Sequence, residues 1–118
     1  MRDEAAVESE IQAKGLNAPR LTPADIDATI ASEFYFTAAE GVLGASAMGT
    51  RPAGLAEPLN RLTICVLVLR NGYMVTGESA CASPENFDEE LGRKIARDNA
   101  RNKIWALEGY ALRQRLAA

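Results

Sequence analysis

The chain has 118 residues, 47% of them apolar and 25% charged, with a net charge of −3. That suits one domain around a single core, and it argues against bulk binding of long DNA or RNA, which needs a basic surface to displace counterions. There is no histidine, so the commonest general base near neutral pH and the commonest zinc ligand are both missing.

No apolar run approaches the roughly 20 residues that span a bilayer. No apolar segment follows Met1-Arg2-Asp3-Glu4, as a signal peptide would require. The expectation is a cytosolic protein with Cys65 and Cys81 reduced.

Asp3 to Lys14 reads as a short amphipathic helix, with Val7 and Ile11 one turn apart and Gly15 at the C-terminal cap. Thr22-Pro23-Ala24-Asp25 opens a second helix: Thr22 caps, Pro23 suits the first position and Asp25 completes a capping box. Ile26, Ile30 and Phe34 follow at helical spacing, which carries this helix to about Phe34–Phe36. Thr37 to Asn60 is rich in glycine, proline and alanine without a sustained period, and reads as a long loop. Such a loop is either a surface insertion or a functional lid or oligomer contact.

Arg61 to Leu69 is the best strand, rich in β-branched residues. Asn71-Gly72 marks a hairpin turn, and Tyr73 to Ser79 returns as the second strand. A two-residue turn centred there sets Val68 opposite Val75, Val66 opposite Gly77, Cys65 opposite Glu78 and Leu62 opposite Cys81, so the two cysteines are offset and do not pair. Both faces of the first strand are apolar: Leu62, Ile64, Val66 and Val68 on one, Cys65, Leu67 and Leu69 on the other. Strands of that kind are covered on both sides. In so small a chain, a second subunit is expected to close one face or one edge.

The last and longest helix starts at Ser83-Pro84 or at Asn86. Phe87, Leu91 and Ile95 form one apolar line, and Ala96, Ala100, Ile104, Leu107 and Ala111 a second. Gly109 bends or divides the helix. The fold expected is α+β: an antiparallel hairpin-based sheet packed on a long C-terminal helix, with short N-terminal helices. It forms one domain over residues 1–118, with a helical segment at 1–36, a variable loop at 37–60, and the hairpin and long helix at 61–116.

Candidate chemistry gathers on the last helix. Asn99 and Asn102 continue the Phe87 line; an amide there either caps neighbouring backbone or reads a base or ribose edge. Arg93, Arg97, Arg101 and Lys103 form either a solvated, salt-bridged face or a phosphate-binding one, since guanidinium groups grip phosphate through parallel hydrogen bonds. Arg113 and Arg115 add a second cluster. Phe87 is a core residue or a platform for a stacked base. The ligand set read from these side chains is Phe87, Arg97, Asn99, Arg101, Asn102 and Arg113, with no metal site and no cofactor. Glu78 lacks a partner base, and Cys81 lacks an activating histidine, so no catalytic residue is assigned. Gly77, Ser79 and Ala80 are small either for tight packing under the helix or to let a ligand approach the backbone.

Asn71-Gly72-Tyr73-Met74-Val75-Thr76-Gly77-Glu78-Ser79-Ala80-Cys81, Ser83-Pro84-Glu85-Asn86-Phe87-Asp88, Gly92-Arg93-Lys94-Ile95-Ala96, Lys103-Ile104-Trp105 and Glu108-Gly109-Tyr110 together resemble a family of small proteins from tailed bacteriophages and prophages. Glu10-Ile11-Gln12-Ala13-Lys14-Gly15-Leu16 and Thr22-Pro23 extend the likeness to most of the chain outside 37–60. The family is similar to the anti-defence sponges that defeat the Thoeris system. The resemblance implies a homo-oligomer, a hexamer among the sponges, acting in the host cytoplasm. It implies pockets between subunits that sequester cyclic ADP-ribose isomers, or cyclic oligonucleotides of the CBASS type, without cleaving them. The alternative is a protein-interaction module that inhibits a host factor; neither reading needs long nucleic acid, a membrane or an enzyme.

Overall fold

The computed structural model describes residues 3–46 and 57–118. Glu4–Ala13 forms helix α1, capped by the Asp3 side chain, which accepts from the Ala6 amide. Gly15 ends it in the left-handed region at φ 65°. Pro23–Ala28 forms α2, opened by the expected capping box between Thr22 and Asp25.

There the reading of a continuous second helix fails. Ile30–Thr37 is a strand, β1. Its pairing runs from Ile30 opposite Leu69 to Thr37 opposite Thr63. The four-residue spacing of Ile26, Ile30 and Phe34 arises from two elements, and the aromatic run Phe34-Tyr35-Phe36 belongs to a sheet.

The long-loop reading of 37–60 is corrected as well. Thr37 and Glu40 make a second capping box, which launches helix α3, Ala38–Ala45. A short 3-10 turn, Glu57–Arg61, leads into the sheet; the rest of that segment lies outside the described residues.

Leu62–Leu69 (β2) and Met74–Ala80 (β3) complete a three-stranded antiparallel sheet in the order β1-β2-β3. The hairpin register is one residue away from the expected one. Leu67 faces Val75, Cys65 faces Gly77, Ile64 faces Glu78 and Leu62 faces Ala80. The loop has three residues, not two: the Leu69 amide donates to Tyr73 O and the Gly72 amide to Leu69 O. Gly72 takes φ 89°, the left-handed position of a three-residue hairpin loop. Both cysteines are free thiols.

Glu89–Ala117 is a single helix, α4, of 29 residues, running unbroken through Gly109. Its cap is Asp88, whose carboxylate accepts from the Leu91 amide, while Ser83 makes no side-chain cap. Ser83-Pro84 instead begins a separate 3-10 turn, Pro84–Asn86.

The core lies between α4 and one face of the sheet. Thr63, Cys65, Leu67 and Leu69 alternate inward along β2, meeting Ala96, Ala100 and Ile104 of α4 and Ile26 of α2. The small residues Ala96 and Ala100 bring the helix close to β3, and Gly92 lets it approach Thr63 of β2. A Cβ built on Gly77 would lie 2.2 Å from Ala96 O. Gly77 is small for packing under the helix, and no space remains above it for a ligand. No described helix is long and apolar enough to cross a membrane.

Candidate ligand-binding site

Helix α4 presents three sides to its surroundings; five of the six candidate residues lie on it, and Phe87 lies just ahead of its start. The first side is the buried stripe. The second carries the arginines and overhangs β1, α2 and α1. Arg97 Nε donates to Glu33 at 3.1 Å, and Tyr35 Oη donates to the other oxygen of Glu33 at 2.8 Å. The Tyr35 hydrogen bond leads in holding the Glu33 carboxyl below its usual range, with Arg97 adding to it against the opposing effect of burial. Burial, then Glu33, pushes the Tyr35 phenol up. The Arg93 guanidinium lies 5.8 Å from the Tyr35 ring centroid and bonds Glu89.

Arg101 is only 8% exposed. It donates to Asp27 and Glu4, and to the Pro23 carbonyl, while Trp105 Nε1 donates to Glu4 as well. Arg101 also lines a cavity of about 650 Å³ with Glu4, Glu8 and Asp27. Three carboxylates beside one paired guanidinium disfavour an anionic ligand there. Arg97 and Arg101 therefore tie the helix to the strand and the N-terminal helices.

The third side faces the outer edge of β3. Asn99 Nδ2 donates to the Glu78 carbonyl at 2.8 Å, which is backbone capping of a sheet edge. Phe87, Leu91 and Ile95 line a cavity of about 280 Å³ between the end of β3 and the start of α4, with Arg61, Cys81 and Asn86 on its walls. Arg61 was not among the sequence candidates. Its guanidinium donates to the Cys81 and Ala82 carbonyls and to Glu57. The true register would have found it, because the Cys81 amide donates to Arg61 O. Burial pushes the Cys65 thiol up, and Cys65 lies in the core, away from this cavity.

Asn102, Lys103, Arg113 and Arg115 are exposed and have no side-chain hydrogen bond or ion pair among the described residues. Asn102 and Lys103 lie at the middle of the helix, and Arg113 and Arg115 toward its other end. From Glu89, two residues after Phe87, to Arg113 the axis rises about 36 Å at 1.5 Å per residue. One chain thus holds Phe87 in a pocket, places Arg113 far from it, and gives Arg97, Asn99 and Arg101 to its own fold. Among the described residues no group of three or more Cys, Asp or Glu side chains could hold a metal ion.

No curated protein and no solved structure matches this chain. Residues 21–116 match a phage family across the sheet, the Phe87 cavity and nearly all of α4, and the chain belongs to the phage protein (N4 Gp49/phage Sf6 gene 66) family.

Proposed function

We propose that this phage protein is a non-catalytic binding protein that sequesters cyclic nucleotide signals, cyclic ADP-ribose isomers or cyclic oligonucleotides, between copies of itself in the host cytoplasm. One observation carries the reading: the aromatic cavity at Phe87 and the cations of Arg113 and Arg115, unpaired among the described residues, stand at opposite ends of α4. A compact ligand with bases and phosphates wants both, an aromatic ring for stacking and guanidinium groups for phosphate. A single chain cannot bring them to one small molecule, whereas two copies side by side and antiparallel can.

Calorimetric titration with a panel of cyclic nucleotides tests this, followed by heating to release the ligand intact. Phe87→Ala and Arg113→Ala should each weaken binding, by about 1.5–3 kcal/mol for the lost charge-assisted hydrogen bond of Arg113. Co-expressing the two variants should restore a fraction of the tight sites, because each mixed pair rebuilds one. No heat with any cyclic nucleotide, or release of only cleaved product, would overturn the reading. Failure of the mixed variants to regain sites would place the pocket within one chain.

A further inference from the structure

β3 is an outer strand of the sheet, and its free edge is regular. The Glu78 carbonyl accepts from Asn99 Nδ2 and so points away from β2. In an antiparallel ladder the outward main-chain groups recur at every second residue, which turns those of Met74 and Thr76 the same way. Among the described residues these groups have no hydrogen-bond partner. The pairing with β2 runs without a bulge from Met74 to Ala80, and β3 contains no proline. The opposite edge is guarded. There β1 has an irregularity between Ile30 and Ser32, and the Glu33 carboxylate, held by Arg97 and Tyr35, sits on its rim. A regular edge without such guards is a template for another strand.

Helix α4 adds a wall to this edge. A groove of about 340 Å³ lies between Met74, Val75 and Thr76 of β3 and Lys103, Ala106 and Leu107 of the helix. Ala106 and Leu107 are exposed there, and so is Lys103, which has no carboxylate partner among the described residues.

We propose that this edge is a strand-docking site: an extended segment of a partner protein joins the sheet beside β3 as a fourth strand and sets an acidic side chain against Lys103. Recognition of this kind has two parts, main-chain pairing for affinity and contacts to alternate side chains for specificity. The outward groups of Met74 and Thr76 supply the first. Side chains alternate along a strand, so every second residue of the incoming segment faces α4. Ala106 and Leu107 give those residues apolar contact, and Lys103 gives them an unopposed positive charge, which selects an acidic segment over a basic one. Asn99 already holds the Glu78 carbonyl, so the added strand ends there and lies opposite Tyr73 to Gly77. The Phe87 cavity is at the other end of β3, beside Ser79, Ala80 and Cys81. The docking site therefore goes beyond the sequestration reading and does not depend on it.

The test titrates blocked peptides of about seven residues against the isotope-labelled full chain. The peptides alternate threonine and valine, with glutamate or lysine in place of the central valine. The glutamate peptide should shift the signals of Met74 to Gly77 and slow exchange of the Thr76 amide at least tenfold. It should bind about tenfold more tightly than the lysine peptide, and Lys103→Glu, an exposed change on α4, should invert that order. N-methylation of the glutamate peptide at the residues that pair with β3 should weaken it tenfold or more. Thr76→Pro removes an outward N–H that the ladder with β2 does not use, a replacement that edge strands accept, and should lose the peptide while keeping a cooperative melt. The N-methylated peptide and Lys103→Glu carry the test with β3 itself unaltered. No binding of the glutamate peptide, equal binding of its N-methylated form, or equal binding of the two charges would overturn the proposal. So would protection of the Thr76 amide that grows with protein concentration when no peptide is present, because a second copy would then hold the edge.

Discussion

Alanine at Gly77 and alanine at Gly109 should change stability in opposite directions, and the structure sets both signs. At Gly77 the new methyl would sit 2.2 Å from Ala96 O and 2.3 Å from Ala100 N, against the 3.4 Å at which ordinary contact begins. Both obstacles are helix backbone, so no rotamer change relieves them. The helix must lift from β3 by about 1 Å, which opens the packing around Ala96 and Ala100. Overpacking costs about 1–3 kcal/mol, and a backbone clash belongs at the upper end. The reduced freedom of the unfolded chain returns roughly 0.4–1 kcal/mol, leaving a net loss of about 2 kcal/mol. For a chain of this size that lowers the melting temperature by about 8 °C. At Gly109 nothing lies within 4 Å of the added methyl and the backbone is helical, so alanine should stabilise by roughly 0.5–1 kcal/mol. Thermal melts of the two variants beside wild type read both effects. A Gly77→Ala protein melting within a degree or two of wild type would show that the helix does not rest on β3 as described.

The ion pairs on the arginine side give two further predictions. Arg101→Ala should destabilise by about 2–3 kcal/mol, discounted from the usual cost of breaking a buried pair because Asp27 is largely solvated; urea titration checks this, with Asn102→Ala expected within about 0.5 kcal/mol of wild type. Stability should also fall in acid. Glu8, hydrogen-bonded first by Arg20 and then by Gln12, is lowered to about 2 from 4.5, and Glu33 is lowered too. A carboxyl depressed in the folded state stabilises above its unfolded value near 4.5, and that contribution is lost as pH drops through the folded value. Urea midpoints followed from pH 6 to pH 2 should decline, and Tyr35→Phe, by bringing the folded Glu33 value back toward the unfolded one, should lessen the decline, most at its acid end; an unchanged curve would remove the Tyr35–Glu33 bond from the account.

Local chemistry was legible where it is local. The capping boxes at Thr22 and Thr37, the Gly15 cap and the hairpin at Asn71-Gly72 all have short-range causes, although Thr37 was hidden by the glycines that follow it. The strand β1 was hidden because Ile-Ala-Ser-Glu has little strand preference of its own; pairing with β2 decides its conformation. The register slipped by one because Asn-Gly suits both two- and three-residue loops. The arginine stripe misled for a similar reason. Its partners Glu33 and Glu4 stand 64 and 97 positions away, and no helical spacing can announce them. Nothing in the spacing marked Phe87, Leu91 and Ile95 as walls of one cavity rather than one core line.

The distribution of charge bears on what the protein can hold. Arg20, Arg61, Arg93, Arg97 and Arg101 each face a carboxylate within 4 Å, whereas Arg113 and Arg115 lie on the last turns of α4 with no such partner among the described residues. A net charge of −3 together with cations at one end makes the positive potential local. A long polyanion would have to lie along acidic surface as well as basic, and the repulsion would cancel much of the gain. A compact anion needs only the few ångströms around the cationic end, where each phosphate can meet a guanidinium without crossing the rest of the chain. Raising salt should therefore weaken binding of a small cyclic nucleotide only modestly, because few counterions are released. A steep salt dependence like that of duplex DNA binding would contradict it.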